Sequence, residues 1–303
     1  TTGNQNISGI KNFISIPTIN GSGVVLQGTA VLTSTDQTIS GTKIFLGNFV
    51  NGNSNNLVAT NSSGHAEGYG TTVLGIAAHA EGFQTYAFLF ASHAEGSLTI
   101  ASGSASHSEG YTTKSIGSYS HAEGNNSIAN GTSSHAEGDN TIANGTSCHS
   151  EGIYAQAIGD YSHAEGAYTY ANGIISHAEG EYTEANEEAS HSEGFYTYAN
   201  GPYSHAEGEL TYAIGTVSHS EGYSTYASGD YSHTEGGSSV TVGIGSHAEG
   251  YYTTSFGNYS HAEGIYTKTF GTTSHAEGAS TVSSGSNSHA EGVYSVSRGN
   301  YSH

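Results

Sequence analysis

Residues 162–175 read SHAEGAYTYANGII, and units of the same pattern follow one another from residue 64 to the end of the chain. All 18 histidines lie 14 residues apart, from His65 to His303. Each of the first 17 histidines is followed two residues later by a glutamate and three residues later by a glycine. A fixed period of this length predicts a solenoid, in which each repeat forms one coil and packs against the next.

The unit contains two related halves, because TYANG at residues 169–173 has the same shape as SHAEG at residues 162–166. A helical heptad does not explain this inner period, since a glycine in nearly every seven residues would cost a helix about 1 kcal/mol each time. Short strands, each closed by a glycine that permits a bend, fit the pattern. The sequence therefore predicts an all-β fold over residues 61–303, a β-solenoid or β-roll with two short strands per 14-residue coil.

The two faces of the first strand differ in size, because alternation puts Ser162 and Ala164 on one face and His163 and Glu165 on the other. The small side chains are expected to fill a narrow interior. Cys148 replaces the serine in one repeat and is predicted to be a buried substitute for it rather than a reactive thiol. As the only cysteine, it cannot form an internal disulfide.

The large face of the first strand is constant, whereas the large face of the second strand varies through residues such as Lys114, Gln156 and Tyr198. Variation is typical of a surface in contact with water. A position that stays constant through 17 repeats needs a constant environment. The pattern favours an interface between copies of the chain about an axis parallel to the rod, which presents the same neighbours at every level.

We call the constant face the His–Glu stripe and predict that it forms an axial ladder inside a parallel homotrimer. The stripe comprises His65, Glu67, His79, Glu81, His93, Glu95, His107, Glu109, His121, Glu123, His135, Glu137, His149, Glu151, His163, Glu165, His177, Glu179, His191, Glu193, His205, Glu207, His219, Glu221, His233, Glu235, His247, Glu249, His261, Glu263, His275, Glu277, His289, Glu291 and His303.

Carboxylates enclosed on such an axis must be compensated. The sequence leaves open whether protonated histidines pair with the glutamates, whether neutral histidines donate hydrogen bonds, or whether divalent ions bind at some levels. Ions at every level are disfavoured, because double charges roughly 5 Å apart repel strongly. No metal ligand is assigned, the stripe histidines are the candidates, and no cofactor is required. A cationic histidine would have a raised pKa and would lose its stabilising effect as the pH rises.

Composition narrows the partners. The formal net charge is -21, from 26 acidic and 5 basic residues, which argues against nucleic acid and anionic membranes because both need Lys and Arg patches. No apolar run approaches the roughly 20 residues of a membrane span. Catalysis is not expected either, because Ser and His in each repeat lie on opposite faces and cannot act together as nucleophile and base.

From about Gly64 to His303 the unit resembles the head repeat of trimeric autotransporter adhesins, of the type S-V-A-I-G-x-x-S-x-A-x-G. This resemblance implies a left-handed parallel β-roll that trimerises, with the outward positions of the first strand facing the trimer interior. In those adhesins the two positions are hydrophobic, whereas here they hold His and Glu. It also implies an extracellular location on a cell-surface appendage.

The first 60 residues form a separate predicted segment. The element Q-x-I-x-G-x-K-x-F occurs at residues 5–13 and again at residues 37–45, and it resembles short β repeats of bacteriophage tail fibres. This second resemblance implies a β-rich segment over residues 1–60 and a virion tail fibre as the setting.

The sequence thus predicts a structural fibre or adhesin shaft without catalysis. Its expected partners are itself, other virion or cell-surface structural proteins, and a host-surface receptor. The alternatives are a bacterial surface adhesin head and a monomeric solenoid whose exposed His/Glu array binds ice, mineral or metal. A row of tyrosines two residues before the histidines is predicted to pack between coils or chains rather than to bind sugar: Tyr119, Tyr161, Tyr203, Tyr231, Tyr259 and Tyr301.

Overall fold

The structure, a computed structural model, describes residues 49–51, 58–59 and 63–303. The duplicated element at residues 5–13 and 37–45 lies outside the described residues. The described part of the chain consists of short parallel strands and turns in about 17 coils, which confirms the predicted β-solenoid with two strands per coil. No helix long and apolar enough to span a membrane occurs among these residues.

The first strand of each coil belongs to one parallel sheet of 18 strands. Its strands are β1 Phe49–Asn51, β3 His65–Tyr69, β5 His79–Phe83, β7 His93–Ser97, β9 His107–Ser108, β11 His121–Asn125, β13 His135–Asp139, β15 His149–Ile153, β17 His163–Ala167, β19 His177–Glu181, β21 His191–Phe195, β23 His205–Glu209, β25 His219–Tyr223, β27 His233–Gly237, β29 His247–Tyr251, β31 His261–Ile265, β33 His275–Ala279 and β35 His289–Ala290.

The second strand of each coil is shorter and belongs to another parallel sheet. Its strands are β2 Val58–Ala59, β4 Thr72–Val73, β6 Tyr86–Ala87, β8 Ile100–Ala101, β10 Lys114–Ser115, β12 Ile128–Ala129, β14 Ile142–Ala143, β16 Gln156–Ala157, β18 Tyr170–Ala171, β20 Glu184–Ala185, β22 Tyr198–Ala199, β24 Tyr212–Ala213, β26 Tyr226–Ala227, β28 Val240–Thr241, β30 Thr254–Ser255, β32 Lys268–Thr269, β34 Val282–Ser283 and β36 Val296–Ser297.

Neighbouring coils pair in a register that equals the sequence period. Between β11 and β13, His121 lies opposite His135 and Glu123 lies opposite Glu137. The backbone N–H of His121 donates to the carbonyl of Ser134 at 2.9 Å. Each repeat position therefore forms a column of like residues along the rod.

The pairing also extends in front of residue 61, where the sequence analysis placed the start of the solenoid. Strand β1 pairs in parallel with β3, with Phe49 opposite His65, and β2 pairs in parallel with β4. The first described coil is thus two residues longer than the 14-residue coils that follow.

The interior is filled by the small side chains that the alternation predicted. Ala164 and Thr169 are completely buried, and the largest fully buried side chain is that of Val73. Ser162 donates a hydrogen bond from Oγ to the carbonyl of Gly159 at 2.6 Å, so this serine fastens the turn that precedes it. Cys148 is buried in the same place, which confirms the prediction, and burial raises the pKa of its thiol to about 11.

The glycine three residues after each histidine is required by the close contact of the coils. Gly166 has a φ of +115°, and a Cβ built on it would overlap the carbonyl oxygen of Gly180 in the next coil. The other repeated glycine position is less strict, because Leu89 and Glu187 occupy it in two coils. The first position therefore accepts only glycine in the described coils, whereas the second also accepts Leu89 and Glu187.

The candidate ladder of histidines and glutamates

The His–Glu stripe lies on the outer face of the sheet formed by the first strands. The side chains of His149 and Glu151 are 35% and 33% exposed in the single chain, while Ser150 between them is fully buried. The structure thus confirms the predicted alternation and leaves the stripe on an open, flat surface. The serine before each histidine points inside, as in Ser162, so it does not meet the imidazole of its own strand.

The histidines form one continuous stack. From His65 to His289 the rings of successive coils are stacked, with centroids 4.5–4.9 Å apart and interplanar angles of 0–25°. The ring of His303 instead meets that of His289 edge to face. This stacking follows from the register, because each imidazole stands directly above the same residue of the previous coil.

The glutamates lie beside the stack and reach its nitrogen atoms. His149 Nε2 is 3.5 Å from a carboxylate oxygen of Glu151. Glu95 spans two levels, with one oxygen 3.7 Å from Nε2 of His93 and the other 3.8 Å from Nε2 of His107. From His79 to His289 these Nε2 atoms are shielded from solvent and have no hydrogen-bond partner among the described residues. The stripe therefore contains a row of shielded nitrogen atoms that lie close to carboxylate oxygens without a hydrogen bond to them.

The stack lowers the pKa of its histidines. Burial lowers the pKa of His205 to about 4, and the neighbouring His191 and His219 act in the same direction. The pKa is also lowered at eight other histidines, where burial is the largest cause and the adjacent imidazoles are the next largest. These are His79, His107, His135, His149, His177, His219, His247 and His275. In the single chain, the lowered pKa at these levels does not favour the cationic alternative, which needs a raised histidine pKa. Burial disfavours the charged form and charges stacked at the coil spacing repel one another, so the imidazoles at these nine levels are neutral near pH 7.

Hydrogen bonds between neighbouring glutamates shift the pKa values of their carboxyl groups in opposite directions. Glu109 accommodates a proton between Glu123 and Glu95, and these hydrogen bonds raise its pKa to about 7. The same contacts lower the pKa of Glu95 and of Glu123. Glu221 repeats the arrangement, with its pKa raised to about 7 by hydrogen bonds to its neighbours above and below. Glu109 and Glu221 thus each share a proton with their neighbours, so these parts of the stripe carry less negative charge than the sequence implies.

The arrangement also suits metal binding chemically. His135, Glu137 and His149 each offer one ligand atom, and these atoms lie within 4.8 Å of one another. The same combination recurs along the stripe. Neutral imidazole and carboxylate together suit divalent transition ions.

The tyrosines before Ser-His are exposed at the corners of the coils. Tyr161 is 62% exposed and Tyr231 is 65% exposed, and no ring stacking joins the members of this row in the described part of the chain. Some of these tyrosines contact the preceding coil. The ring of Tyr259 lies beside Gly245, and the hydroxyl of Tyr203 donates a 3.0 Å hydrogen bond to Glu188. Packing between coils is thus partial in the single chain.

A different tyrosine row forms the aromatic stack that the sequence analysis missed. Tyr154, Tyr168, Tyr182 and Tyr196 follow their histidines by five residues, and their ring centroids are 4.6–5.0 Å apart. The 14-residue spacing of these tyrosines was the signal that could have revealed them.

Parts of the chain match the model of a known family of repeats. The model of the YadA head domain repeat matches residues 115–134, 122–147 and 270–302. These segments match the head repeat of trimeric autotransporter adhesins. The resemblance inferred from the sequence is confirmed, and the described part of the chain is a β-solenoid of tandem repeats. No curated protein matches the chain significantly.

Proposed function

We propose that the chain is the shaft of a non-catalytic extracellular attachment fibre, in which three parallel copies bring their His–Glu stripes together on a common axis. The observation that carries the proposal is the row of solvent-shielded Nε2 atoms from His79 to His289, which have no hydrogen-bond partner among the described residues. Groups of this kind are stabilised when a neighbouring surface supplies partners. The likeness to YadA head repeats supports self-association into trimers and a surface-exposed location.

A second feature favours the same face as the interface. Several side chains four residues after the histidines are apolar and about half exposed, and they flank the stripe. A second copy packed on this face would cover both the stripe and part of this apolar surface, which contributes favourably to association. The flanking apolar residues are Tyr69, Phe83, Tyr111, Ile153, Tyr223, Tyr251, Ile265 and Val293.

Sedimentation equilibrium and chemical modification of histidine test this arrangement together. We expect three times the chain mass of 31.1 kDa and histidines that resist diethyl pyrocarbonate. A single-chain mass with freely modified histidines would overturn the proposal and leave the monomeric binding array.

A pair of variants locates the interface. His149→Arg introduces three cations at one level of the axis and should weaken the trimer. Gln156→Arg places the same charge on the opposite sheet, where the outward residue is partly exposed, and should leave the trimer intact. Equal effects of the two substitutions would contradict an interface on the His–Glu stripe.

The finer setting is a virion tail fibre or a bacterial surface appendage that attaches to a host. The tail-fibre version is supported by the repeated element at residues 5–13 and 37–45, which lies outside the described residues. Antibody labelling of purified virions and of intact bacterial cells, viewed by electron microscopy, separates the two. Label on neither would contradict the proposed role in attachment.

A further inference from the structure

The His–Glu stripe contains more than a row of paired groups, because several glutamates form a group with two histidines of adjacent coils. In the group His93, Glu95 and His107, the two carboxylate oxygens lie 3.7 Å and 3.8 Å from the two Nε2 atoms. Five groups of two histidines and one glutamate are His93 Glu95 His107, His135 Glu137 His149, His149 Glu151 His163, His163 Glu165 His177 and His177 Glu179 His191.

We propose that every chain carries a row of divalent transition-metal sites, each formed by two histidines of adjacent coils and the glutamate between them. This inference goes beyond the attachment function and does not depend on the number of chains, because all three ligands belong to one chain. Water or a partner chain can complete the coordination.

The distances fit this assignment. Zn²⁺ binds histidine nitrogen and carboxylate oxygen at about 2.0–2.2 Å, so two ligands of a tetrahedral ion lie about 3.4 Å apart. The Nε2-to-carboxylate distance is 3.5 Å at His135–Glu137, His149–Glu151, His177–Glu179 and His191–Glu193. All three ligand atoms of a group lie within 4.8 Å of one another, so the carboxylate and the two stacked imidazole rings must rotate to bring them onto one ion.

The ligand set also determines the kind of ion. Imidazole nitrogen favours Zn²⁺, Ni²⁺, Co²⁺ and Cu²⁺, whereas Mg²⁺ and Ca²⁺ prefer sites made of oxygen atoms. The solvent-shielded Nε2 atoms have no hydrogen-bond partner to give up within the described residues, which removes one cost of binding. We expect the first group of ions to bind and the second group to bind weakly or not at all.

Sharing of histidines limits the number of ions. His149 belongs both to the group with Glu137 and to the group with Glu151, and one Nε2 atom serves one ion. Each ion uses two histidines, so the 18 histidines limit a chain to nine ions. Bound ions are then separated by about two coil spacings, which reduces their repulsion compared with one ion per coil.

Two variants with equal numbers of substitutions test this pairing of coils. The alternating variant carries His→Gln at nine positions: His79, His107, His135, His163, His191, His219, His247, His275 and His303. The block variant carries His→Gln at nine consecutive stripe histidines: His191, His205, His219, His233, His247, His261, His275, His289 and His303. Every proposed site loses a ligand in the alternating variant, whereas the block variant keeps the sites before His191.

The measurement is equilibrium dialysis of the full chain, freed of metal with EDTA, against Zn²⁺ alone, with elemental analysis of bound zinc. We expect loss of nearly all bound zinc in the alternating variant and loss of about half in the block variant. Loss of half in both variants would mean that single histidines bind independently and would overturn the proposal. Mg²⁺ in large excess should not displace the zinc, and displacement by Mg²⁺ would contradict the assigned ligand set.

If the alternating variant does not fold, the unsubstituted chain provides a second test of the metal sites. Co²⁺ bound by two imidazoles and a carboxylate should show strong visible absorption bands that disappear with EDTA. Only the weak absorption of hydrated Co²⁺ would overturn the sites. Neither result depends on the oligomeric mass, so failure of the metal sites and failure of the trimer are distinguishable.

Discussion

The imidazole rings of His135 and His149 stack face to face, with centroids 4.8 Å apart and an interplanar angle of 0°. The two residues are one repeat apart, and the backbone pairing of β13 and β15 places them opposite each other. Strand register thus fixes the distance between titratable groups along the whole stripe. Protonation of one level therefore affects the next.

Lowering the pH should change the stability of the metal-free fibre through its histidines and its glutamates, whose effects oppose each other. The pKa of His205 is lowered to about 4, while its unfolded value is near 6.5, so the unfolded chain binds more protons between these values. The stability that neutral His205 contributes is complete above about pH 6.5 and is lost as the pH falls through about 4. The pKa of Glu221 is raised to about 7, so its stabilising effect is complete below its unfolded value, about 4.5, and is lost as the pH rises through about 7.

Single substitutions separate these two effects. In thermal melts followed by circular dichroism in EDTA, His205→Gln should make the melting temperature fall less between pH 7 and pH 5 than in the unsubstituted chain. Glu221→Gln should make it fall more, because the carboxyl proton no longer offsets the histidines. If the two variants shifted the pH dependence in the same direction, the lowered histidine pKa or the shared carboxyl proton would be wrong.

Coil stacking should not tolerate a side chain on Gly166. Gly166→Ala adds a methyl group that overlaps the Gly180 carbonyl at a φ of +115°, and we expect a loss of about 3 kcal/mol or more in the free energy of unfolding. Gly292 is the matched control, because it has a φ of +100° but its added Cβ meets nothing closer than Ser295 Oγ at 3.5 Å. Chemical denaturation of both variants should show the larger loss in Gly166→Ala. Equal losses would mean that φ strain alone matters.

Removing the buried side-chain hydroxyl of Thr169 should increase the stability of the fold. Its Oγ1 is buried without a hydrogen-bond partner among the described residues, so Thr169→Val should stabilise the chain by about 1 kcal/mol. The control is Thr113, at the same repeat position, which donates from Oγ1 to the Glu109 carbonyl at 2.9 Å. Thr113→Val should destabilise by about 1 kcal/mol. Denaturant midpoints check the pair, and effects of equal sign would contradict the assigned hydrogen bonding.

The turns contain backbone strain that one substitution can relieve. Ile175 is exposed and has a φ of 59°, a conformation that is costly for a β-branched residue and that asparagine adopts readily. Ile175→Asn should therefore stabilise the coil by about 1 kcal/mol. Ile174 is also exposed but has no positive φ, so Ile174→Asn should change little. Thermal melts of the two variants test this prediction. An equal change in melting temperature in both would show that exposure, not φ, is responsible.

The sequence by itself determined the repeating architecture. Its 14-residue period and the alternation of small and large side chains predict two strands per coil, an interior of Ser, Ala and Thr, and an outward His–Glu stripe. It also placed Cys148 correctly in the interior. These features follow from strand geometry alone, because successive side chains of a strand point to opposite faces and glycine permits the bends.

Only the tertiary structure decided the chemistry of the stripe. The sequence left the charge of the histidines open, and the structure makes stacked members such as His205 neutral near pH 7, with a proton shared around Glu109. It also revealed the tyrosine stack that includes Tyr168 and the strained φ of Ile175. The physical reason is that a pKa and a ring contact depend on distances between coils. Those distances are set by backbone hydrogen bonds between residues one repeat apart.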